Sequence, residues 1–197
     1  MTNFIRNIQT LVLASDWGIL KKLTYEFMKK DGQWETQKRE VYDRGNGATI
    51  LLYNTSKNTV VLTRQFRIPT FLNGNEDGHL LETCAGKLEE KEDPEKCIIR
   101  EVEEETGYRI QHVEKIFETY MSPGSVTELI YFFAAPYNEE MKVTAGGGNN
   151  NEQENIEVLE FKFPEVWKLL QKNEIRDAKT ILLLQYAALN KLLSPLP

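Results

Sequence analysis

An α+β chain built on a mixed sheet is the fold class this sequence predicts, and three observations predict it. Strand-like and helix-like segments do not alternate regularly along the chain. The first third reads as antiparallel strands joined by an Asp-Gly turn. Two helical segments close the chain, the second with a strong apolar face. The 197 residues suffice for one domain with a small appendage, and 41% apolar against 27% charged residues can bury an ordinary core.

Taken in order, Ile19 to Met28 alternates in part and is β-compatible, Lys30-Asp31-Gly32-Gln33 supplies a hairpin turn, and Trp34 to Tyr42 returns. Gly45 and Gly47 punctuate the chain before Ala48 to Tyr53, a continuous apolar strand. They set the expected boundary between an N-terminal sheet arm over 1–45 and a main domain over 46–197. A polar turn from Asn54 to Asn58 leads into a strand from Thr59 to Thr63. Past a loop at Asn73 to Gly78, a short strand spans Leu80 to Cys84. Asp93 then offers a helix N-cap, Pro94 fits the first turn, and Gly107 fits just past the end. Strands near Val113 to Tyr120 and Leu129 to Ala134 follow. A polar loop, Thr144 to Asn155, precedes a strand over Ile156 to Phe163, and the closing helices cover Pro164 to Lys172 and Ala178 to Leu193.

Composition removes several function classes. The 24 Lys and Arg against 30 Asp and Glu leave a net charge of −6, which argues against a non-specific nucleic-acid binder. No stretch approaches the ~20 apolar residues of a membrane span. Cys84 and Cys97 are too few to staple a secreted fold and read as buried thiols. Asn7, Gln9 and Asp16 interrupt any N-terminal apolar run, so no signal peptide is read and the cytoplasm is the expected location.

The chemistry sits between Gly86 and Gly107. At ~100° per residue, Glu101, Glu104 and Glu105 fall on one helix face a turn apart. There they repel one another, close to a helix C-terminus where the macrodipole also disfavours negative charge. Acids kept where they are locally unfavourable are most simply oxygen ligands for Mg2+ or Mn2+. Arg100 can hold Glu92 or a helical glutamate in place. Gly86 and Gly107 allow sharp turns on either side, so the segment is a loop–helix–loop presenting oriented carboxylates.

This pattern resembles the box of the Nudix hydrolase family, Gly-x5-Glu-x7-Arg-Glu-U-x-Glu-Glu-x-Gly-U with U aliphatic. Gly86, Glu92, Arg100, Glu101, Val102, Glu104, Glu105 and Gly107 match in residue and spacing, and Tyr108 departs at the last U. The resemblance implies an α/β/α sandwich and metal-dependent cleavage of a nucleoside diphosphate linked to another group. Pro123, fifteen positions after Tyr108, looks like the mark of the ADP-ribose and nucleotide-sugar branch. Lys38 to Thr49, Arg64 to Arg67, Asn73 to Glu76, Met121 to Gly124, Ala145 to Gly148 and Glu174 to Asp177 are similar to the GDP-mannose pyrophosphatase (NudK) subfamily. Two departures are Trp17, where that subfamily usually has a tyrosine packing on the base, and the run Asn149-Asn150-Asn151, which lengthens the catalytic loop.

By that resemblance, Glu101, Glu105, Glu154 and the backbone carbonyl of Ala85 hold Mg2+ (Mn2+ in its place), with Glu104 a further ligand or a neighbour of one. Arg100 completes the catalytic set. Glu154 is the obvious candidate for a single base, but a metal-bound hydroxide with several carboxylates near it does not require one. Trp17, Lys38, Arg39, Glu40, Arg67, Ala85, Gly86, Lys87, Glu128, Gln153 and Lys179 are carried over as substrate contacts. A guanidinium grips phosphate bidentately, so Arg67 is the best of the cations for that role. Glu40 can accept hydrogen bonds from a guanine or a sugar hydroxyl. The resemblance also implies a homodimer with exchanged N-terminal arms, and no nucleic-acid or membrane partner. The expected reaction is hydrolysis of a nucleotide sugar, GDP-mannose giving GMP and mannose 1-phosphate. An ADP-ribose or ADP-sugar diphosphatase would share the box and Pro123. A catalytically silent nucleotide sensor would have lost box carboxylates or Arg100, and this sequence has lost neither.

Overall fold

The computed structural model describes residues 4–149 and 154–195. The chain forms two compact units, one of Met1–Asn46 with Thr119–Ile130 and the other of Gly47–Glu118 with Tyr131–Pro197.

The first unit is an antiparallel sheet in the order β1-β2-β3, with β1 Ile5–Ser15, β2 Ile19–Met28 and β3 Trp34–Asp43. The Asp-Gly turn forms as the sequence predicts. Gly32 takes φ +81°, and Lys29 N donates to Gln33 O at 2.8 Å. Strand β1 is invisible to a search for alternation because its register shifts between Arg6 and Gln9 and again between Val12 and Ala14. Each bulge inserts an unpaired residue and resets the period of two. The segment 119–130 is tied to the end of β3. Tyr42 N donates to Ser125 O at 2.8 Å, and Asp43 accepts from Thr127 Oγ1 at 3.1 Å and from Lys21 Nζ at 2.8 Å. The Lys21 hydrogen bond leads the contacts that hold the Asp43 carboxyl below its ordinary range. Pro123 sits in this segment, in a groove of about 400 Å³ that Val41 and Tyr120 also line.

The second unit is organised by a mixed sheet in the order β10-β5-β4-β9-β8. Its strands are β4 Gly47–Asn54, β5 Thr59–Phe66, β8 Glu114–Tyr120, β9 Leu129–Pro136 and β10 Glu157–Lys162. β5 runs antiparallel to both β4 and β10. β9 runs parallel to β4, since Leu129 N bonds Asn46 Oδ1 at one end and Tyr137 N bonds Tyr53 O at the other. Both faces of β4 are covered, which is why it reads as an unbroken apolar run. Ala48, Ile50 and Leu52 join one core cluster with Cys97, Ile98 and Val102. Thr49, pointing the other way, is hydrogen-bonded through Thr83 to Thr180.

Sequence and structure part company at three points. The expected strand Leu80 to Cys84 is two strands, β6 His79–Glu82 on β5 and β7 Cys84–Lys87 on β4, because the chain changes partner at Thr83. A five-residue helix, α1 Ile68–Leu72, has Pro69 in its first turn and buries no residue, so it left no periodic signal. After α2 Pro94–Glu101 and α3 Phe163–Gln171, the last helix α4 Ala178–Leu189 stops four residues early. Asn190 caps it, Lys191 turns at φ +57°, and Leu193 is buried by the returning chain rather than by a further helical turn.

Candidate active site

Helix α2 starts where the capping chemistry dictates: Asp93 accepts from Glu95 N at 2.9 Å and Lys96 N at 3.3 Å, with Pro94 in the first turn. Its end departs from expectation. Val102–Thr106 widens into a π-helical turn, closed by Gly107 at φ +76°. The 100° spacing no longer holds there, and the three glutamates do not share one face equally. Glu105 is turned fully inward at 3% exposure, Glu101 is half-buried, and Glu104 is exposed. Such π-turns recur at functional sites because they re-aim side chains that an α-helix would stack. The carbonyls released by the wider turn accept from a glycine loop, Glu105 O from Gly147 N at 2.8 Å and Glu104 O from Gly148 N at 3.2 Å. Gly146 takes φ +73° with its Cα so close to Glu105 that a Cβ would lie 2.5 Å from that carbonyl oxygen. The same loop delivers Glu154, whose Oε2 accepts from Asn149 N at 2.9 Å.

Arg100 is the hub of the carboxylates. It donates to Glu101 at 2.8 Å, to Glu104 at 3.2 Å and through two nitrogens to Glu92 at 3.3 and 3.4 Å, so both partners proposed for it from sequence are engaged. Glu105 accepts from Ala85 N at 3.3 Å, and the Cys84 thiol acts to lower its proton affinity. Burial pushes the Glu105 carboxyl up to about 8, with the charges of Glu101 and Glu154 adding to it. Burial likewise raises Glu101 to about 7, against Arg100 and with help from Glu104 and Glu154. Four acids are therefore close enough that Glu104 and Glu154 raise the proton affinity of Glu101, and Glu101 and Glu154 that of Glu105, with one arginine among them. Among the described residues no three acids are yet gathered at ion-holding distance. The donor set nevertheless fits a hard divalent cation: it is all oxygen, and it is short of positive charge. Gly86 fits the same purpose. A Cβ there would overlap the Glu101 carboxyl group, so the absence of a side chain is what lets Glu101 lie across β7.

The second unit also holds Arg67, Lys87 and Lys179. Arg67 donates through Nε to Glu82 at 2.7 Å, and Lys179 to Glu82 at 3.3 Å and Asp177 at 2.6 Å. Glu82 and Asp177 were not singled out from sequence as site residues. A buried acid reads there as an ordinary strand or cap residue, and only the fold brings both cations to it. Lys87 ends β7 and is exposed. The first unit carries Trp17, Lys38, Arg39, Glu40 and Glu128. Trp17 is 75% exposed and so is no core residue, and Lys38 to Glu40 lie exposed along β3. Glu128 pairs with Arg44 at 3.4 Å. Gln153 lies outside the described residues, as do Asn150 and Asn151.

Residues 43–184 match the family model of the NUDIX domain. The chain belongs to the Nudix family. Residues 4–42 of this Nudix chain match a second model, the GDP-mannose pyrophosphatase NudK N-terminal domain. The GDP-mannose pyrophosphatases of Shigella dysenteriae serotype 1 (strain Sd197) and Escherichia coli O157:H7 are each 53% identical to it over 193 residues, covering 98% of this chain and all of the relative. That of Escherichia coli O9:H4 (strain HS) is 53% identical over 186 residues, 94% of this chain and 96% of the relative. Among the described residues no helix is long and apolar enough to cross a membrane.

Two outcomes follow for the Nudix site. Gly86→Ala displaces only the flexible end of Glu101, so the melting temperature should stay within about 2 °C while kcat falls by roughly a hundredfold. Equal losses of stability and rate would show that Gly86 shapes the strand instead. In EDTA, the raised Glu105 carboxyl is protonated in the folded chain and ionised in the unfolded one between about pH 5 and 8. Its penalty is absent below that window and full above it. Glu105→Gln should therefore raise the melting temperature of metal-free protein at pH 8 and leave it nearly unchanged at pH 5.

Proposed function

We propose that this chain is a Mg2+-dependent nucleotide-sugar diphosphatase that prefers GDP-mannose and releases GMP and mannose 1-phosphate. As a Nudix hydrolase it acts on a pyrophosphate bond. The observation that carries the reading is the crowding of Glu101, Glu104, Glu105 and Glu154 around the end of α2, where burial and acidic neighbours raise the proton affinities of Glu101 and Glu105. The choice of GDP-mannose is supported by the relatives' names and by the match of the N-terminal segment.

Glu101, Glu105, Glu154 and the Ala85 carbonyl would hold the Mg2+, or Mn2+ in its place. Bound there, the cation would neutralise the diphosphate and lower the pKa of the attacking water. The chain's own groups orient the substrate. Arg67 and Lys179 offer positive charge beside the carboxylates, and Trp17, Lys38, Arg39, Glu40, Lys87, Glu128 and Gln153 are assigned to base, sugar and phosphate contacts. Arg100 keeps Glu101 aimed while tethered to Glu92. With several carboxylates in reach, the proton of the water has more than one acceptor, so no single base is required.

A homodimer is proposed as the working form. All eleven residues of β1 are exposed, with Ile8 at 61%, Leu11 at 59% and Val12 at 55%. Apolar exposure of that extent marks an interface rather than a solvated surface. Exchange of arms would carry Lys38, Arg39 and Glu40 toward the partner's substrate. The cytoplasm is the proposed location, in keeping with two free buried thiols.

The test is kcat/KM with Mg2+ for GDP-mannose, ADP-mannose, ADP-ribose and GDP-glucose, with products identified. GDP-mannose should lead, and GMP should accumulate with mannose 1-phosphate. A lead for ADP-ribose would overturn the substrate assignment and leave the carboxylate site standing. In the same assay Glu101→Gln and Glu105→Gln should each cost roughly a hundredfold or more in kcat, and Glu154→Gln about tenfold. A far greater loss for Glu154 would make it the essential base. Light scattering after gel filtration should give twice the 22.8 kDa chain mass. Leu11→Glu should shift the protein to monomer with loss of activity, and a fully active monomer would overturn the exchanged-arm assembly.

A further inference from the structure

We propose that Glu82 is a positioning residue that splits the Arg67 guanidinium into an anchored edge and a substrate edge, and fixes Lys179 beside it. This deepens the reading above, on which the substrate contacts of Arg67 and Lys179 rest. Glu82 closes β6, and its side chain is only 5% exposed. A carboxylate at that depth must be matched by charge and hydrogen bonds, and both of its oxygens are used. Oε2 accepts from Arg67 Nε at 2.7 Å and Oε1 from Lys179 Nζ at 3.3 Å. Lys179 also donates to Asp177 Oδ1 at 2.6 Å. The other oxygen of Asp177 caps α4, accepting from Thr180 N at 2.9 Å and Thr180 Oγ1 at 2.7 Å. Two acids and two cations thus form a cluster that is neutral within itself.

The cluster is wired to the strand that carries Ala85 and Gly86. Thr83 N, between β6 and β7, donates to Thr180 Oγ1 at 2.7 Å, and the Thr83 hydroxyl meets that of Thr49 on β4 at 2.9 Å. The cations therefore hold a fixed station relative to the carboxylate strand. Guanidinium has five N–H donors. Glu82 takes the one on Nε, and among the described residues the two terminal nitrogens have no hydrogen-bond partner. Exposure grades outward, from 5% at Glu82 through 18% at Lys179 to 39% at Arg67. Glu105 is near enough to help hold the Arg67 charge. What the exposed edge presents is a rigid two-nitrogen fork, suited to paired phosphate oxygens. Release of Nε would return the side chain its rotamer freedom and leave Glu105 as the competing anion for it.

Calorimetric titration of GDP with saturating Mg2+ reads this fork without requiring turnover, and steady-state kinetics on GDP-mannose then divide KM from kcat. Glu82→Gln should weaken GDP by about tenfold to a hundredfold and raise KM alike, with kcat within about threefold of wild type. Arg67→Lys keeps the charge but cannot serve anchor and substrate together, so it should lose nearly as much as Arg67→Met. The pair Glu82→Gln with Arg67→Met should lose much less than the sum of the two single losses, the remainder being the part of Glu82 that acts through Lys179. Wild-type GDP affinity in Glu82→Gln, or additive losses in the double variant, would overturn the proposal. If Glu82→Gln does not fold, wild-type affinity in Arg67→Lys overturns it by itself. Failure to hydrolyse GDP-mannose would count against the proposed substrate, whereas the GDP titration speaks to Glu82 alone.

Discussion

Repulsion among carboxylates confined at one end of a helix is the constraint around which the second unit is arranged. Glu105 is buried and Glu101 half-buried, and in both burial and acidic neighbours raise the proton affinity. A chain does not bury like charges for stability, since a buried unpaired acid is among the costliest substitutions a core can suffer. The surroundings make the arrangement tolerable without cancelling it. Arg100 neutralises part of the charge while tethered to Glu92, and at the π-helical turn Glu105 is buried while Glu104 stays exposed to solvent. The glycine loop satisfies the carbonyls that this turn releases. What remains is negative charge without an equal cation, which is the condition a divalent metal removes.

Strand β4 transmits that arrangement to the rest of the unit. One of its faces packs on Cys97, Ile98 and Val102 of the carboxylate segment, and the other is joined through Thr49 and Thr83 to the cap of α4. The partner change at Thr83 is what makes both possible. Residues before it pair with β5 and present Glu82 to the cations, while residues after it pair with β4 and present Ala85 and Gly86 to the acids. Two charge clusters of different composition are thus set by adjacent positions of one short chain segment. A buried polar network of threonine hydroxyls is an exacting way to hold such a join, since every member must find its partner.

Much of this was legible in the sequence, and the illegible parts share a cause. Capping and turn chemistry acts within a few residues, so Asp93, Pro94, Gly107 and the Asp31-Gly32 turn could be read directly. The box spacing likewise named Arg100 and its two kinds of partner. Features that depend on distant chain could not be read. The strand break at Thr83 is dictated by β4, β5 and α4 together, and the pairing of Arg67 with Lys179 exists only because Glu82 meets both. The widening of the helix at Val102 escaped because a 3.6-residue period was assumed to continue to Gly107. Ala145 to Gly148 are legible as a similarity, but their role as a cap on that widened turn appears only when their amides are seen on Glu104 and Glu105.

The division of labour along the chain has a consequence for specificity. The acids, Arg67 and Lys179 belong to one compact unit, and Trp17, Lys38, Arg39 and Glu40 to the other. A diphosphate is the same charge distribution in every nucleotide sugar, so in the proposed site the first set would grip all such substrates alike. Uniform binding of this kind raises affinity without discriminating. Discrimination must come from groups that leave a donor or acceptor unpaired when the wrong base or sugar arrives, and such contacts reject by far larger factors than shape alone. Glu40, an exposed acid on β3, has the right chemistry to favour a guanine edge over an adenine one, because only guanine offers adjacent N–H donors to a carboxylate. Under the proposed roles, substitution in the first unit would redirect the substrate while the carboxylate site is left as it is. That is the physical reason a box so well preserved says little by itself about which sugar nucleotide is cleaved.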